Sequence, residues 1–112
     1  MEKEISQFLT KNNIRFEEQK KFPWLKYKKP LSLDFYLPDY DIVIECQGEQ
    51  HFTKYRYGSE SDNRFQQRVL KDGIKKKLCE EHGLKMLYYS TAFKADFLID
   101  DKNKLLKEIK NV

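Results

Sequence analysis

The sequence predicts an α/β domain in which a central mixed sheet is flanked by helices. Apolar residues recur at helical spacing in three segments, and four shorter segments show the alternation or continuous apolar run of strands. A long helix separates the third strand from the fourth, which is typical of parallel neighbours, whereas short turns join the earlier strands as in antiparallel pairs. With 112 residues, the chain 1–112 is expected to form one domain.

The first predicted helix runs from Glu2 to Lys11, with Ile5, Phe8 and Leu9 on one face, and it ends at the Asn12-Asn13 pair. Residues 14–22 are predicted to form a strand. Ile14 and Phe16 alternate with polar residues, and the polar residues that follow them indicate an edge of the sheet. A loop then extends to residue 30.

Residues 31–47 are predicted to form a β-hairpin. Leu33, Phe35 and Leu37 alternate with polar residues and are expected on one face of the first strand. The sequence PDYD at 38–41 is typical of a tight turn. The second strand reads IVIECQ from Ile42 to Gln47 and ends at a glycine.

The second half of the chain is predicted as helix, strand and helix. After a polar loop at 58–63, apolar spacing indicates a helix over 64–81 that ends with Gly83 as its C-terminal cap. The apolar run Leu84 to Tyr89 predicts a strand covered on both faces. A last helix is expected over Lys102 to Lys110.

The charge of the chain favours an anionic partner. Net charge is +4 and the pI about 9.0, although 22 basic and 18 acidic residues make a mixed surface. No apolar run approaches the ~20 residues of a membrane span, and no signal peptide is recognisable. We therefore expect a cytoplasmic protein, no membrane contact and reduced thiols at Cys46 and Cys79. A zinc site from these cysteines with His51 and His82 is the less favoured alternative, because the paired spacing of such sites is missing.

Two carboxylates are predicted to lie side by side in the hairpin. Successive strand residues alternate faces, so Glu45 and Gln47 share one face, and a short turn allows Asp34 to lie across from Glu45. Carboxylates about 5 Å apart repel by roughly 3 kcal/mol at an effective dielectric constant of about 20, unless a proton or a cation intervenes. Their oxygens suit Mg²⁺. The alternative is that both are exposed strand residues paired with lysines.

These segments resemble the PD-(D/E)xK nuclease superfamily. The resemblance covers about residues 1–90, and it is carried by LSLDFYLPDYDIVIECQGEQHF and RFQQRVLKDGIKKKLCEEHGLKMLYY. Its most similar branch includes the very-short-patch-repair-like enzymes and the catalytic domains of some homing endonucleases. The resemblance implies a restriction-endonuclease-like αβββαβ core and Mg²⁺-dependent hydrolysis of DNA, with Mn²⁺ as a substitute.

The resemblance also assigns roles to residues. It implies Asp34 and Glu45 as metal ligands, and it puts Gln47 where the family usually carries lysine. Glutamine orients a group through its amide but carries no charge, so a neighbour must supply the cation or activity is weak. His51 is a candidate base after the strand. Glu2, or Glu4 in its place, is the assisting acidic residue of the first helix.

Asp39 offers a second candidate for the first ligand, because Pro38-Asp39 is a literal PD dipeptide. Aspartate is common in tight turns for structural reasons alone, which explains Asp39 without a role in metal binding, so Asp34 is favoured.

Basic side chains are predicted to hold nucleic acid. Arg64, Arg68 and Lys76 lie on one helical stripe with Asp72, and their alternative role is that of a solvated helix face. Lys75 and Lys77 are expected to point elsewhere on the helix. The loop before the hairpin adds lysines and aromatic residues, among them Lys28 and Lys29, and the aromatic, basic segment 51–62 contributes Tyr57.

The sequence thus favours a metal-dependent endodeoxyribonuclease, with RNA as the alternative substrate and a homodimer as a possible assembly. The second hypothesis is a nuclease-like fold that binds nucleic acid, or serves another protein, with weak or no catalysis. Gln47 motivates this second hypothesis. A purely structural interaction protein would leave the polar strand residues unexplained.

Overall fold

A computed structural model describes residues 2–46, 59–91 and 98–110, without the side chains of residues 59–69. Its elements confirm the predicted α/β architecture of a mixed sheet flanked by helices. They are α1 (Glu2–Lys11), β1 (Glu17–Lys20), β2 (Lys26–Tyr27), β3 (Lys29–Pro30), β4 (Leu33–Leu37), β5 (Ile42–Cys46), α2 (Ser59–Glu81), β6 (Lys85–Tyr89), β7 (Leu98–Ile99) and α3 (Lys102–Lys110).

The main sheet has five strands in the order β1-β4-β5-β6-β7. The first three are antiparallel neighbours, whereas β5, β6 and β7 are parallel to one another. The predicted hairpin and the parallel relation between β5 and β6, the strands on either side of α2, are therefore confirmed. Strands β2 and β3 form a separate antiparallel ribbon in the predicted lysine loop.

Apolar side chains cover both faces of the sheet. On one face, α1 and α3 pack on β4, β5 and β6, and this core includes Ile5, Phe35, Ile44, Leu87 and Leu105. On the other face, a smaller core consists of Leu25, Leu33, Val43, Cys79 and Leu84, of which Cys79 comes from α2. The end of β5 therefore lies between two layers of helices.

The face predicted for Leu33 is wrong. Leu33 is buried with Val43 in the core on the α2 side, whereas Phe35 and Leu37 lie in the opposite core. The alternation breaks where the ladder between β4 and β5 ends, at the pair Phe35–Ile44. In β1, Gln19 lies between Glu18 and Lys20, the partners of Phe35 and Leu33, and its φ of 49° interrupts the extended backbone at this level.

The structure differs from the sequence prediction in the bounds of several elements and in one additional strand of the main sheet. The edge strand β1 is shorter than 14–22, and α2 already includes residues 59–63, which the sequence assigns to a loop. These polar residues have no apolar spacing, so periodicity does not reveal their helix. Strand β7 has only two residues, Leu98 and Ile99, too few for a recognisable alternation.

The predicted end of α2 is confirmed. Gly83 has a φ of 78°, in the left-handed region that glycine adopts without steric cost. Leu84 N donates to Cys79 O at 2.8 Å and Gly83 N to Glu80 O at 3.1 Å, the two hydrogen bonds of a Schellman cap. The chain then enters β6 beside β5.

Candidate functional site

Asp34 and Glu45 lie next to each other at the ends of β4 and β5, as the sequence predicts. The backbone N–H of Asp34 donates to Glu45 Oε2 at 2.7 Å, and that of Cys46 donates to Asp34 Oδ2 at 2.9 Å. Each carboxylate thus satisfies a backbone donor of the opposite strand where the regular ladder has ended. These hydrogen bonds fix both carboxylates on the two strands.

Lys75 of α2 reaches the same position from the other side. Its Nζ donates to Glu45 Oε1 at 2.9 Å, and the side chains are 17% and 6% exposed, respectively. Burial raises the pKa of Glu45 above its ordinary value of 4.5, the charge of Lys75 acts to lower it, and the charge of Asp34 raises it. A buried carboxylate therefore has one cationic partner and one anionic neighbour.

The prediction that Lys75 points elsewhere on the helix is wrong. Lys75 faces the sheet, whereas Lys76, which the sequence predicts at the site, is exposed to solvent. Consecutive helix residues are about 100° apart around the axis, so a helix that buries Lys75 against β5 turns Lys76 away. Spacing within α2 defines the stripes but not which stripe meets the sheet.

Glu2 is the acidic residue of α1 that lies beside Asp34. Burial, the charge of Asp34 and a hydrogen bond with the Asp34 carboxyl group raise the pKa of Glu2. Oε2 of Glu4, the alternative residue, instead lies 3.9 Å from Nζ of Lys102 in α3. The two carboxyl groups of Glu2 and Asp34 open onto a cleft of about 450 Å³ between α1 and the edge of the sheet.

Other acidic and polar side chains also line this cleft. Glu18 and Gln19 belong to β1, and Gln19 Nε2 lies 3.5 Å from Asp34 Oδ1. Lys3 is the one cationic side chain among the lining residues that the structure describes. Asp34 therefore links the acidic cleft on the α1 side to the Glu45–Lys75 pair on the α2 side, because it lines the cleft and its backbone N–H donates to Glu45.

The two cysteines do not form a common site. Cys46 packs on the core under α1 and α3, whereas Cys79 is buried in the core on the α2 side. Burial raises the pKa of Cys46 to about 12 and that of Cys79 to about 11, so both thiols stay protonated at neutral pH. His82 stacks on Trp24 with ring centroids 3.8 Å apart. These placements do not support the zinc alternative.

Asp39 lies in the turn at the opposite end of the hairpin from Asp34. Its Oδ1 accepts a hydrogen bond from Arg15 at 2.7 Å, and both side chains are more than half exposed. The PD dipeptide is thus a turn element with an exposed ion pair, apart from the Asp34–Glu45 pair.

Several predicted site residues lie outside the described part of the chain. Gln47, His51 and Tyr57 belong to the segment 47–58, and Arg64 and Arg68 lie in α2 at positions whose side chains are not described. Their roles stay predictions. Lys28 and Lys29 are exposed on the β2–β3 ribbon.

The donor set of the pair fits a hard divalent cation. Asp34, Glu45 and Glu2 provide carboxylate oxygens, the ligands that Mg²⁺ prefers, together with room for water in the cleft. Within the described ranges, no three His, Cys, Asp or Glu side chains are already grouped to hold a metal ion. A cation between the two strands would therefore be completed by water and substrate oxygens.

Comparisons with known proteins add no family. The chain matches no protein-family profile, and a search of curated proteins finds no match either. In the described part of the chain, no helix combines the length and the apolar composition needed to cross a bilayer.

Proposed function

We propose that the protein is a metal-dependent endonuclease that hydrolyses phosphodiester bonds of DNA. The observation that carries this proposal is the pair Asp34–Glu45 at the separated ends of β4 and β5, with Lys75 bound to Glu45. Two carboxylates and an ammonium group at one point of a sheet match the needs of phosphodiester hydrolysis. The reaction requires an activated water and balanced charge on the phosphate.

The sheet order supports a restriction-endonuclease-like αβββαβ core as the finer form of the fold. In that assignment, α1 is the first helix, β1, β4 and β5 are the three antiparallel strands, and α2 leads to β6. The ribbon β2–β3 is then an insertion before the strand that carries Asp34.

Each residue of the pair has a defined task in this proposal. Asp34 and Glu45 would hold Mg²⁺ or Mn²⁺, which would lower the pKa of a water molecule and balance charge on the phosphodiester. Glu2 accepts a hydrogen bond from the attacking water in the acidic cleft. Water attacks phosphorus in line and gives its proton to His51, the bond from phosphorus to the leaving oxygen breaks, and the leaving oxygen takes up a proton from solvent.

Lys75 supplies the positive charge that the family usually places at position 47. Its Nζ lies within hydrogen-bonding distance of a candidate ligand carboxylate, so it can reach a phosphate oxygen bound beside that carboxylate. Gln47 then needs only to orient a group through its amide. Lys75 on α2 therefore supports the proposal although Gln47 departs from the family pattern.

A second candidate function is nucleic-acid binding or an accessory role without catalysis. The observation that favours it is that both Glu45 oxygens already accept protein donors, Asp34 N and Lys75 Nζ. A metal ion at Glu45 must compete with these hydrogen bonds. Calorimetry that finds no Mg²⁺ or Mn²⁺ binding, together with retained DNA affinity, would select this function.

Nicking of a supercoiled plasmid in Mg²⁺ or Mn²⁺ tests the catalytic proposal. We expect Asp34→Asn and Glu45→Gln each to lower the nicking rate by about a hundredfold or more, since each removes a charged metal ligand. In the Asp34→Asn variant the new amide oxygen can still accept from Cys46 N, so this variant is expected to fold. The matched control is Asp39→Asn, which removes an exposed aspartate and is expected to nick at the wild-type rate. Equal rates for wild type and Asp34→Asn would refute the proposal.

A further inference from the structure

A second concave surface lies between the β2–β3 ribbon and α2. This groove has a volume of about 450 Å³, and its walls include Tyr27, Lys28, Lys29 and Leu31 of the ribbon segment with Leu70 and Lys71 of the helix. None of these residues belongs to the Asp34–Glu45–Lys75 cluster or to the acidic cleft. We call it the ribbon–helix groove.

The charges on the described walls of the ribbon–helix groove are positive. Three lysines line it, Lys28, Lys29 and Lys71, and the lining residues that the structure describes include no acidic side chain. All three are exposed, and among the described residues none of them forms an ion pair. The acidic cleft under α1 has the opposite composition, with Glu2, Glu18 and Asp34 against Lys3. A polyanion is therefore attracted to the ribbon–helix groove rather than to the acidic cleft.

The groove also presents apolar surface between its lysines. Leu70 is 50% exposed and stands out as the exposed large apolar side chain of the described residues. Tyr27 is half-buried, and Lys28 Nζ lies 5.5 Å from the centroid of its ring. Lys28 has a φ of 63° at the turn of the ribbon, and this left-handed turn joins the two strands that carry Tyr27 and Lys29.

We infer that the ribbon–helix groove binds an unpaired stretch of nucleic acid, with the lysines on its phosphates and Tyr27 and Leu70 against its bases. A duplex presents phosphates and sugars along its backbone but keeps its base faces stacked inside, so it would leave Tyr27 and Leu70 without partners. A single strand offers both charges and base faces, and proteins bind it with a basic groove and aromatic side chains.

The position of the groove connects it to the proposed nuclease site. Lys71 precedes Lys75 by four residues on α2, which is about one helical turn or 6 Å along the axis. A strand in the groove would therefore pass close to Glu45. The inference deepens the proposed function by naming its substrate class, DNA with an unpaired segment, and it rests on that function for cleavage only.

Binding without divalent metal tests the inference separately from catalysis. The probe is a fluorescein-labelled single-stranded oligothymidylate of twelve nucleotides in EDTA, with the corresponding dT·dA duplex as the comparison. We expect tighter binding of the single strand than of the duplex. We also expect Lys71→Glu to weaken single-strand binding about tenfold or more, and to make the dependence of log K on log salt shallower by about 0.7, the contribution of one phosphate contact.

Lys77→Glu is the matched control for Lys71→Glu, because it makes the same charge change on an exposed residue of the same helix outside the groove. It is expected to change affinity less than twofold. Equal weakening by both substitutions would mean that only overall charge matters, and would overturn the inference.

Tyr27 distinguishes an unpaired strand from a duplex backbone. Tyr27→Phe is expected to retain binding, and Tyr27→Ala to lose about tenfold, since a stacked base contributes a factor of that order. Tight duplex binding with no effect of Tyr27→Ala would overturn the inference. The binding assay involves neither divalent metal nor cleavage, so a failed nicking experiment leaves the groove intact and a failed binding experiment leaves the nuclease proposal intact.

Discussion

At the residue scale, the site depends on one carboxylate that is buried where a carboxylate is costly. Glu45 is 5% exposed, and its charge is balanced by Lys75 and by the backbone N–H of Asp34. Burying a carboxylate without such partners costs several kcal/mol. The fold therefore keeps Glu45 ionisable through contacts from two different elements, β4 and α2.

Replacing Lys75 by Met should destabilise the protein in a pH-dependent way. Lys75 acts to lower the pKa of Glu45, so its loss raises that pKa further. A raised pKa means that the folded state binds the proton more tightly, so stability falls as the pH rises through the pKa of folded Glu45. We expect Lys75→Met to lose about 2 kcal/mol at pH 7. The loss should disappear below the ordinary glutamate value of 4.5. Urea unfolding at several pH values measures it.

Two variants control this experiment. Lys76→Met alters the exposed neighbour of Lys75 and should change the free energy of unfolding by less than about 0.5 kcal/mol. The double variant Glu45→Gln with Lys75→Met removes both charges and should recover most of the loss. A deficit for Lys75→Met that is independent of pH would mean that lost packing, not the charge of Glu45, explains it.

At the element scale, α2 contains one glycine and is capped by another. Its C-terminus is fixed by the Schellman cap at Gly83, which directs the chain into β6. In its middle, Gly73 is exposed, and a Cβ atom added there would meet no other atom within 4 Å. An added Cβ atom is therefore tolerated at the glycine within α2 but strained at the glycine that caps it.

Substituting alanine at these glycines should change stability in opposite directions. Gly83→Ala forces a Cβ atom into a left-handed conformation and is expected to cost about 1 kcal/mol. Gly73→Ala replaces a poor helix former on the solvent side and is expected to gain up to about 1 kcal/mol. Gly83→Asn should lose less than Gly83→Ala, because asparagine tolerates this conformation. Thermal unfolding measures all three, and a loss at Gly73 would contradict the space seen around it.

At the scale of the whole molecule, a row of aromatic rings joins segments that are distant in sequence. Phe22 stacks on Trp24 with centroids 4.7 Å apart, and Trp24 stacks on His82 at 3.8 Å. Phe22 also meets the ring of Tyr36 edge-on at 5.2 Å. The row connects the segment before the ribbon, strand β4 and the end of α2, and so it holds the ribbon–helix groove to the sheet.

His82→Ala should lower the stability of the protein and change the fluorescence of Trp24. Removing the terminal ring is expected to cost about 1 kcal/mol, the usual range for a stacked aromatic pair. Trp24 is the one tryptophan of the sequence, so a change in fluorescence on this substitution reports the environment of its ring. The control is Glu81→Ala, which removes an exposed neighbour and should leave the emission unchanged. An unchanged spectrum in His82→Ala would contradict the stack.

The sequence by itself determined those features that depend on local pattern. The bounds of α1 and α3, the hairpin, the cap at Gly83 and the parallel crossover follow from spacing over a few residues. That Asp34 and Glu45 lie next to each other also follows from the local pattern, because a short turn fixes which residues of the two strands are opposite each other.

Tertiary structure alone decided which helix residues meet those carboxylates. Lys75 rather than Lys76 faces Glu45, and Glu2 rather than Glu4 lies beside Asp34. A helical sequence specifies which residues share a stripe, but the rotation of the helix about its axis is set by packing against the sheet. Tertiary structure likewise set the side of the sheet on which Leu33 lies. Next to Leu33, the carboxylates of Asp34 and Glu45 accept the backbone N–H groups that a regular ladder would pair with carbonyl groups. Local chemistry therefore placed the carboxylates, and packing between elements supplied their cation.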